Sequence, residues 1–126
     1  MSLLLDAEAF LAVERGERSV VALVKRERLA QRSPISHGGV VAQVWRGGSG
    51  RQAGVARLLG GVDVRALDEE LGKRAGMLLA RTGADDAIDA ALVCLAVDGD
   101  DILTSDPGDL RALVEAASVH VDLVPV

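Results

Sequence analysis

Asp6 ends the apolar run Leu3-Leu4-Leu5, Asp86 and Asp89 open a second apolar segment, and Asp106 and Asp109 follow a third, Ile102-Leu103-Thr104. Each acid stands where a buried strand gives way to a helix, or where a helix begins. Parallel neighbouring strands would bring these carboxylates to one edge of a sheet. Crowded carboxylates repel one another and raise each other's pKa unless a cation joins them. A hard divalent ion such as Mg²⁺ or Mn²⁺ is the usual partner of such an oxygen-rich set. Aspartates also cap helices, and Asp86 and Asp106 taken singly read as caps. Together with Asp6, in this order, the set reads as a metal site. Asp89 falls inside an apolar helix, where an unpaired carboxylate is costly, so it joins the site. Asp109 stands evenly between a site residue and an exposed first-turn acid. Asp85 reads as a cap or surface acid, and Asp98, Asp100 and Asp101 around Gly99 as a solvated turn.

The elements that must position these acids follow from periodicity and punctuation. Ser2 to Leu5 reads as a buried strand and Ala7 to Val13 as a short helix. Glu17 to Arg32 has the spacing of an amphipathic helix stopped by Pro34. Residues 34–36 form a weak strand, and 37–46 read as helical despite Gly38 and Gly39. Gly47 to Gly50 is the clearest loop, followed by a helix over 51–59. Val62 to Leu67 alternates as a strand, and Asp68 caps a helix over 69–81 that Gly83 ends. The next helix, from Asp85 or Asp86 to about Val97, is apolar enough to be central. Residues 101–104 form a strand, 106–116 a helix with Pro107 in its first turn, and 119–124 the last strand. Strands alternating with helices imply an α/β fold, a parallel sheet with helices on both faces. Ligands bind such sheets at the carboxyl ends of the strands, where Asp6 and the Asp106–Asp109 pair fall.

Length and composition bound the rest. The chain of 126 residues fits a single domain, 1–126, and can bury a core. Its apolar fraction of 49% and charged fraction of 26% are those of a globular protein. With one Trp, one Phe and no Tyr, the core must be aliphatic. The formal net charge of −5 disfavours a nucleic-acid coat but not a nuclease whose acids hold metal. Arg and Lys concentrate in residues 15–57, Asp and Glu in 63–122. Cys94 is the only cysteine, so no intrachain disulfide forms, and its apolar setting reads as a buried, inert thiol. No basic leader or membrane-length apolar run is visible, so a cytoplasmic protein without membrane contact is expected.

Other chemistry-bearing residues divide between ordinary and functional readings. Trp45 beside Arg46, with Arg51 and Gln52 beyond the glycine loop, could stack a base and hold phosphate or anchor an interface; the interface is favoured. Lys25, Arg26 and Arg28 read as a solvated helix face, with RNA or a protein partner as the alternative. His37 and His120 have no second ligand at zinc spacing and read as structural or exposed. Met77 reads as core.

Three stretches carry a family resemblance: Leu3-Leu4-Leu5-Asp6-Ala7, Asp86-Ala87-Ile88-Asp89-Ala90-Ala91, and Leu103-Thr104-Ser105-Asp106-Pro107-Gly108-Asp109-Leu110. Their order and spacing resemble a PIN-domain protein, particularly the VapC-type toxins of bacterial toxin–antitoxin pairs. The resemblance spans Leu3 to Val124, and the last stretch is its most specific part. It implies a three-layer PIN-like fold and Mg²⁺- or Mn²⁺-dependent cleavage of RNA phosphodiesters. The implied metal set is Asp6, position 43, Asp86 and Asp106, with Asp89 and Asp109 as auxiliary acids. The resemblance further implies a homodimer and a cognate antitoxin that enters the active-site groove. Read from the residues themselves, Thr104 and Ser105, which could hydrogen-bond a carboxylate or simply end a strand, and Arg46 and Arg51 are weaker candidates for substrate contact.

The departure is Gln43, in Val40-Val41-Ala42-Gln43-Val44-Trp45-Arg46, where the family usually has Glu. A Gln carbonyl can ligate a hard cation without contributing charge, which weakens metal binding. Glu14, on the first helix, is a candidate for the missing carboxylate. The leading expectation is a metal-dependent endoribonuclease toxin. Its rival is a PIN-like module that binds RNA or protein with weak or lost cleavage. A phospho-acceptor domain also clusters Asp at strand ends, but it usually needs a Lys after a late strand, and none follows Lys73.

Overall fold

The computed structural model describes residues 1–47 and 52–126. Its order is β1 (Leu3–Leu5), α1 (Ala7–Glu14), α2 (Arg18–Leu29), β2 (Ile35–His37), α3 (Gly38–Val44), α4 (Ala53–Leu59), β3 (Asp63–Arg65), α5 (Glu69–Thr82), α6 (Ala87–Leu95), β4 (Asp101–Thr104), α7 (Pro107–Ala117) and β5 (Asp122–Pro125). The strands form one sheet in the order β3-β2-β1-β4-β5, and every pairing is parallel. This is the expected α/β architecture.

β1 lies at the centre, which explains its uninterrupted leucines: both faces of a central parallel strand are covered. Leu3 and Leu5 pack with Phe10, Val40, Val55 and Leu103 under the layer of α1–α4. Leu4 and Ile102 point the other way, into the layer of α5–α7 around Leu78, Leu92 and Leu110. A strand's period of two thus divides one run of leucines between two cores. The chain walks from β1 to β2 and β3 on one side, then resumes with β4 and β5 on the other. That reversal opens a crevice past the carboxyl ends of β1 and β4.

Several boundaries differ from expectation for identifiable reasons. α2 ends at Leu29, short of Arg32. Gln31 adopts a left-handed φ of 58°, and the buried Glu27 carboxylate takes two hydrogen bonds from the Arg32 guanidinium, at 2.9 and 3.1 Å. His37 closes β2 and caps α3, its Nδ1 accepting from Gly39 N–H at 3.0 Å. β3 is only three residues long and exposed, an edge strand. Gly83, at φ 72°, ends α5 in the left-handed conformation that glycine adopts freely.

Three side chains are placed differently from the sequence reading. Asp100 is buried, not solvated: Oδ1 accepts from Ser2 N–H at 2.7 Å and Oδ2 from Val97 N–H at 2.9 Å, tying the N-terminus to the approach of β4. Met77 is 60% exposed rather than core. Cys94 is half-buried, and burial pushes its thiol pKa up. Among the described residues no helix is long and apolar enough to cross a membrane.

Candidate functional site

Asp6 leaves β1 at the switch between the two halves of the sheet. Its N–H continues the ladder to the Leu103 carbonyl at 3.2 Å. Its carboxylate then serves two elements: Oδ1 caps α1 through Ala9 N–H at 3.0 Å, and Oδ2 accepts from Ser105 N–H, beyond β4, at 3.2 Å. Only 8% of the residue is exposed. Burial raises its pKa, and the hydrogen bonds from Ala9, Thr104 and Ser105 partly offset that. Ser36, fully buried, donates its hydroxyl to the Leu5 carbonyl at 2.8 Å and holds β2 against the end of β1.

The other acids stand at helix starts facing the same opening. Asp86 caps α6, Oδ1 accepting from Ile88 and Asp89 N–H, both at 3.0 Å. Asp106 caps α7 through Asp109 N–H at 3.3 Å, with Pro107 in the first turn where its missing N–H costs nothing. Thr104, wholly buried, accepts from Asp106 N–H at 3.1 Å and fixes the turn out of β4. Each acid expected to cap does cap. That is no argument against a site, because each cap engages only Oδ1 of its carboxylate and leaves Oδ2 out of the capping bond.

Asp89 shows that the acids meet. Its pKa is pushed up to about 6, first by burial and then by the charges of Asp86, Asp6, Asp109 and Asp106. Asp109 is raised by a hydrogen bond with the Asp106 carboxylate and by its charge.

Together these residues line a cleft of roughly 240 Å³: Asp6, Ala7, Glu8, Gln43, Asp86, Asp89, Thr104, Ser105, Asp106 and Asp109. Six of the ten are acids and none is basic. This donor chemistry fits a hard divalent cation. Among the described residues, however, no three His, Cys, Asp or Glu side chains are already gathered closely enough to hold one ion. Closing around an ion therefore requires side-chain rotation, which the exposed Asp86, Asp106 and Asp109 have room to make.

The remaining sequence candidates divide. Gln43 lines the cleft as expected. Thr104 also lines it, wholly buried, with its hydroxyl oxygen accepting from Asp106 N–H. Ser105 contributes its backbone N–H to Asp6. Arg46 is turned back on its own helix, donating to the Ala42 and Trp45 carbonyls at 3.0 and 2.8 Å. Arg51 lies outside the described residues. Glu14 is not at the cleft: it packs against Gly54 of α4, where an added Cβ would come 3.2 Å from the Glu14 Cα. The acid that sequence reasoning missed is Glu8, two residues past Asp6 in the first turn of α1; its signal was an Asp-x-Glu at a strand-to-helix junction. A larger hollow of about 560 Å³ between α5, α6 and the end of α7 is lined by Arg74, Arg81 and Cys94. It opens near residues that precede β4, away from the carboxyl ends of the strands, and holds no acid cluster.

No protein-family model matches the sequence, and no curated protein is similar enough to register as a relative. The fold is similar to that of a chain of VapBC2 from Rickettsia felis, solved bound to a DNA fragment from their promoter. The TM-score is 0.69, with 98% of each chain covered and 10% sequence identity. At that identity the likeness concerns the fold.

Proposed function

We propose that the protein is a Mg²⁺- or Mn²⁺-dependent endoribonuclease acting as a VapC-type toxin. The observation that carries this reading is the convergence of Asp6, Asp86, Asp89, Asp106 and Asp109 on one cleft at the switch point of the sheet. The fold shared with a VapBC2 chain supports it. Asp6, Asp86 and Asp106 would hold the metal, with Gln43, Asp89 and Asp109 completing or tuning the set. A divalent ion held there supplies an acidified water and offsets charge on the phosphodiester's non-bridging oxygens. Asp6 is the fixed point of the arrangement, since its two hydrogen-bonded oxygens leave it little freedom. Asp89, with its raised pKa, is suited to take and release a proton near neutrality.

The implied partner is a cognate antitoxin. A second groove, of about 260 Å³, suits such a partner: Val13, Val21, Val24 and Leu58 form an apolar floor, and Lys25, Arg28 and Arg57 a basic rim. An amphipathic segment carrying acidic residues would match it. The homodimer that the resemblance implies belongs to the same proposal.

A second reading is a module that binds RNA or protein without efficient cleavage. It is favoured by the neutral Gln43 and by acids that do not yet close around an ion. Incubating varied RNAs with Mn²⁺ separates the two. Cleavage by the native protein that is lost on chelation and in Asp6→Asn supports the nuclease. Intact folding with no cleavage of any RNA supports the module.

A further inference from the structure

We propose that Glu8 supplies the carboxylate that Gln43 lacks, and so acts as a ligand of the divalent cation. The inference rests on the metal-site reading above. Glu8 and Gln43 line the same cleft together with Asp6. The amide at position 43 brings the cleft an oxygen but no charge, and a hard divalent ion favours anionic oxygen. An acid moved from α3 to the first turn of α1 restores that charge from a different element.

The surroundings of Glu8 leave it able to do this. Its side chain is 41% exposed, and its Oε2 lies 3.6 Å from Arg15 Nη2. Arg15 is held more closely by Glu17, whose Oε1 accepts from Nε at 3.1 Å and from Nη2 at 2.9 Å. Glu8 can therefore turn toward an ion without leaving Arg15 unpaired. The pairing it gives up is a solvent-exposed one, of small value. Glu14, the other acid of α1, packs against Gly54 and does not line the cleft.

The ordinary alternative is that Glu8 only favours the N-terminus of α1 and pairs with Arg15. An exchange of charge between the two positions decides. Mn²⁺ binding is measured by titration calorimetry on the full chain, for the wild type, Glu8→Gln, Gln43→Glu, the double variant and Asp6→Asn. Circular dichroism of the metal-free proteins confirms folding. Glu8→Gln should weaken Mn²⁺ binding about tenfold or more, the loss of one unit charge close to the ion. Gln43→Glu should tighten it, and the double variant should return to within a few-fold of wild type. Unchanged affinity in Glu8→Gln, with binding lost in Asp6→Asn, would overturn the role of Glu8 and leave the metal site standing. No Mn²⁺ binding by the wild type would overturn both.

Discussion

The His37 imidazole donates through Nε2 to the Ile88 carbonyl at 2.9 Å, joining the end of β2 to the first turn of α6. Its Nδ1 accepts from Gly39 N–H, so the ring is held as the neutral Nε2–H tautomer. The residue is completely buried, and burial lowers its pKa. Through this one side chain the element bearing Gln43 and the element bearing Asp86 and Asp89 keep their spacing across the cleft. Replacing it with alanine leaves a buried carbonyl without its donor and a cavity beside it. His37→Ala should cost about 2–4 kcal/mol of stability, measured by urea unfolding.

Gly39 is there because nothing larger fits. A Cβ at this position would lie 2.5 Å from Ile88 Cδ1 and 2.8 Å from His37 Cε1. The isoleucine tip can move, but the pinned ring cannot. Gly39→Ala should therefore destabilise the protein by about 1–3 kcal/mol, despite alanine's better helix propensity. A thermal melt reads this directly, and an alanine variant as stable as wild type would show that the His37 ring is not fixed.

The raised pKa of Asp89 makes the metal-free protein sensitive to pH. The folded state binds the Asp89 proton more tightly than the unfolded state. The stability gained from it is thus present at low pH and lost as pH rises from about 4 through about 6. His37 acts with the opposite sign: its lowered pKa costs stability as pH falls below about 6.5. Comparison with Asp89→Asn isolates the first effect. In chelator, Asp89→Asn should melt higher than wild type at pH 7.5, by on the order of 1 kcal/mol after screening of a half-exposed group. The two should converge only below about pH 4, where Asp89 is protonated in the folded and the unfolded state alike.

A divalent ion should reverse that cost. Mn²⁺ at a hundredfold excess over Kd stabilises a binding fold by about 2.7 kcal/mol, roughly 10 °C for a chain of this size. Asp6→Asn and Asp106→Asn should respond less than wild type in differential scanning fluorimetry. Equal shifts in all three would remove these residues from the binding set.

Much of this arrangement was legible in the sequence, for physical reasons. A central parallel strand must be apolar on both faces, so Leu3-Leu4-Leu5 announced itself, and Asp6 could only stand at its exit. Asp68, Asp86 and Asp106 cap helices as their positions required, and Gly83 ends one. The edge strand β3 was harder: exposed on its open side, it carries no burial pattern to set its limits. Asp100 reads in sequence like its solvated neighbours, because its burial depends on Ser2 N–H, a partner far away in the chain. The same distance hid His37, whose partner is the Ile88 backbone, a group that leaves no mark on residue identity. Glu8 was overlooked beside Asp6 because first-turn acids are so common, while Glu14 proved to face α4.

The most direct test is crystallographic: anomalous scattering from crystals of the protein soaked in Mn²⁺. The expected result is a peak in the cleft, bounded by carboxylate oxygens of Asp6 and Asp106 and at least one of Asp86 and Asp89, absent from crystals of Asp6→Asn. A fully soaked crystal with no peak there, or with Mn²⁺ bound only elsewhere, would contradict the assignment of these aspartates to a shared cation.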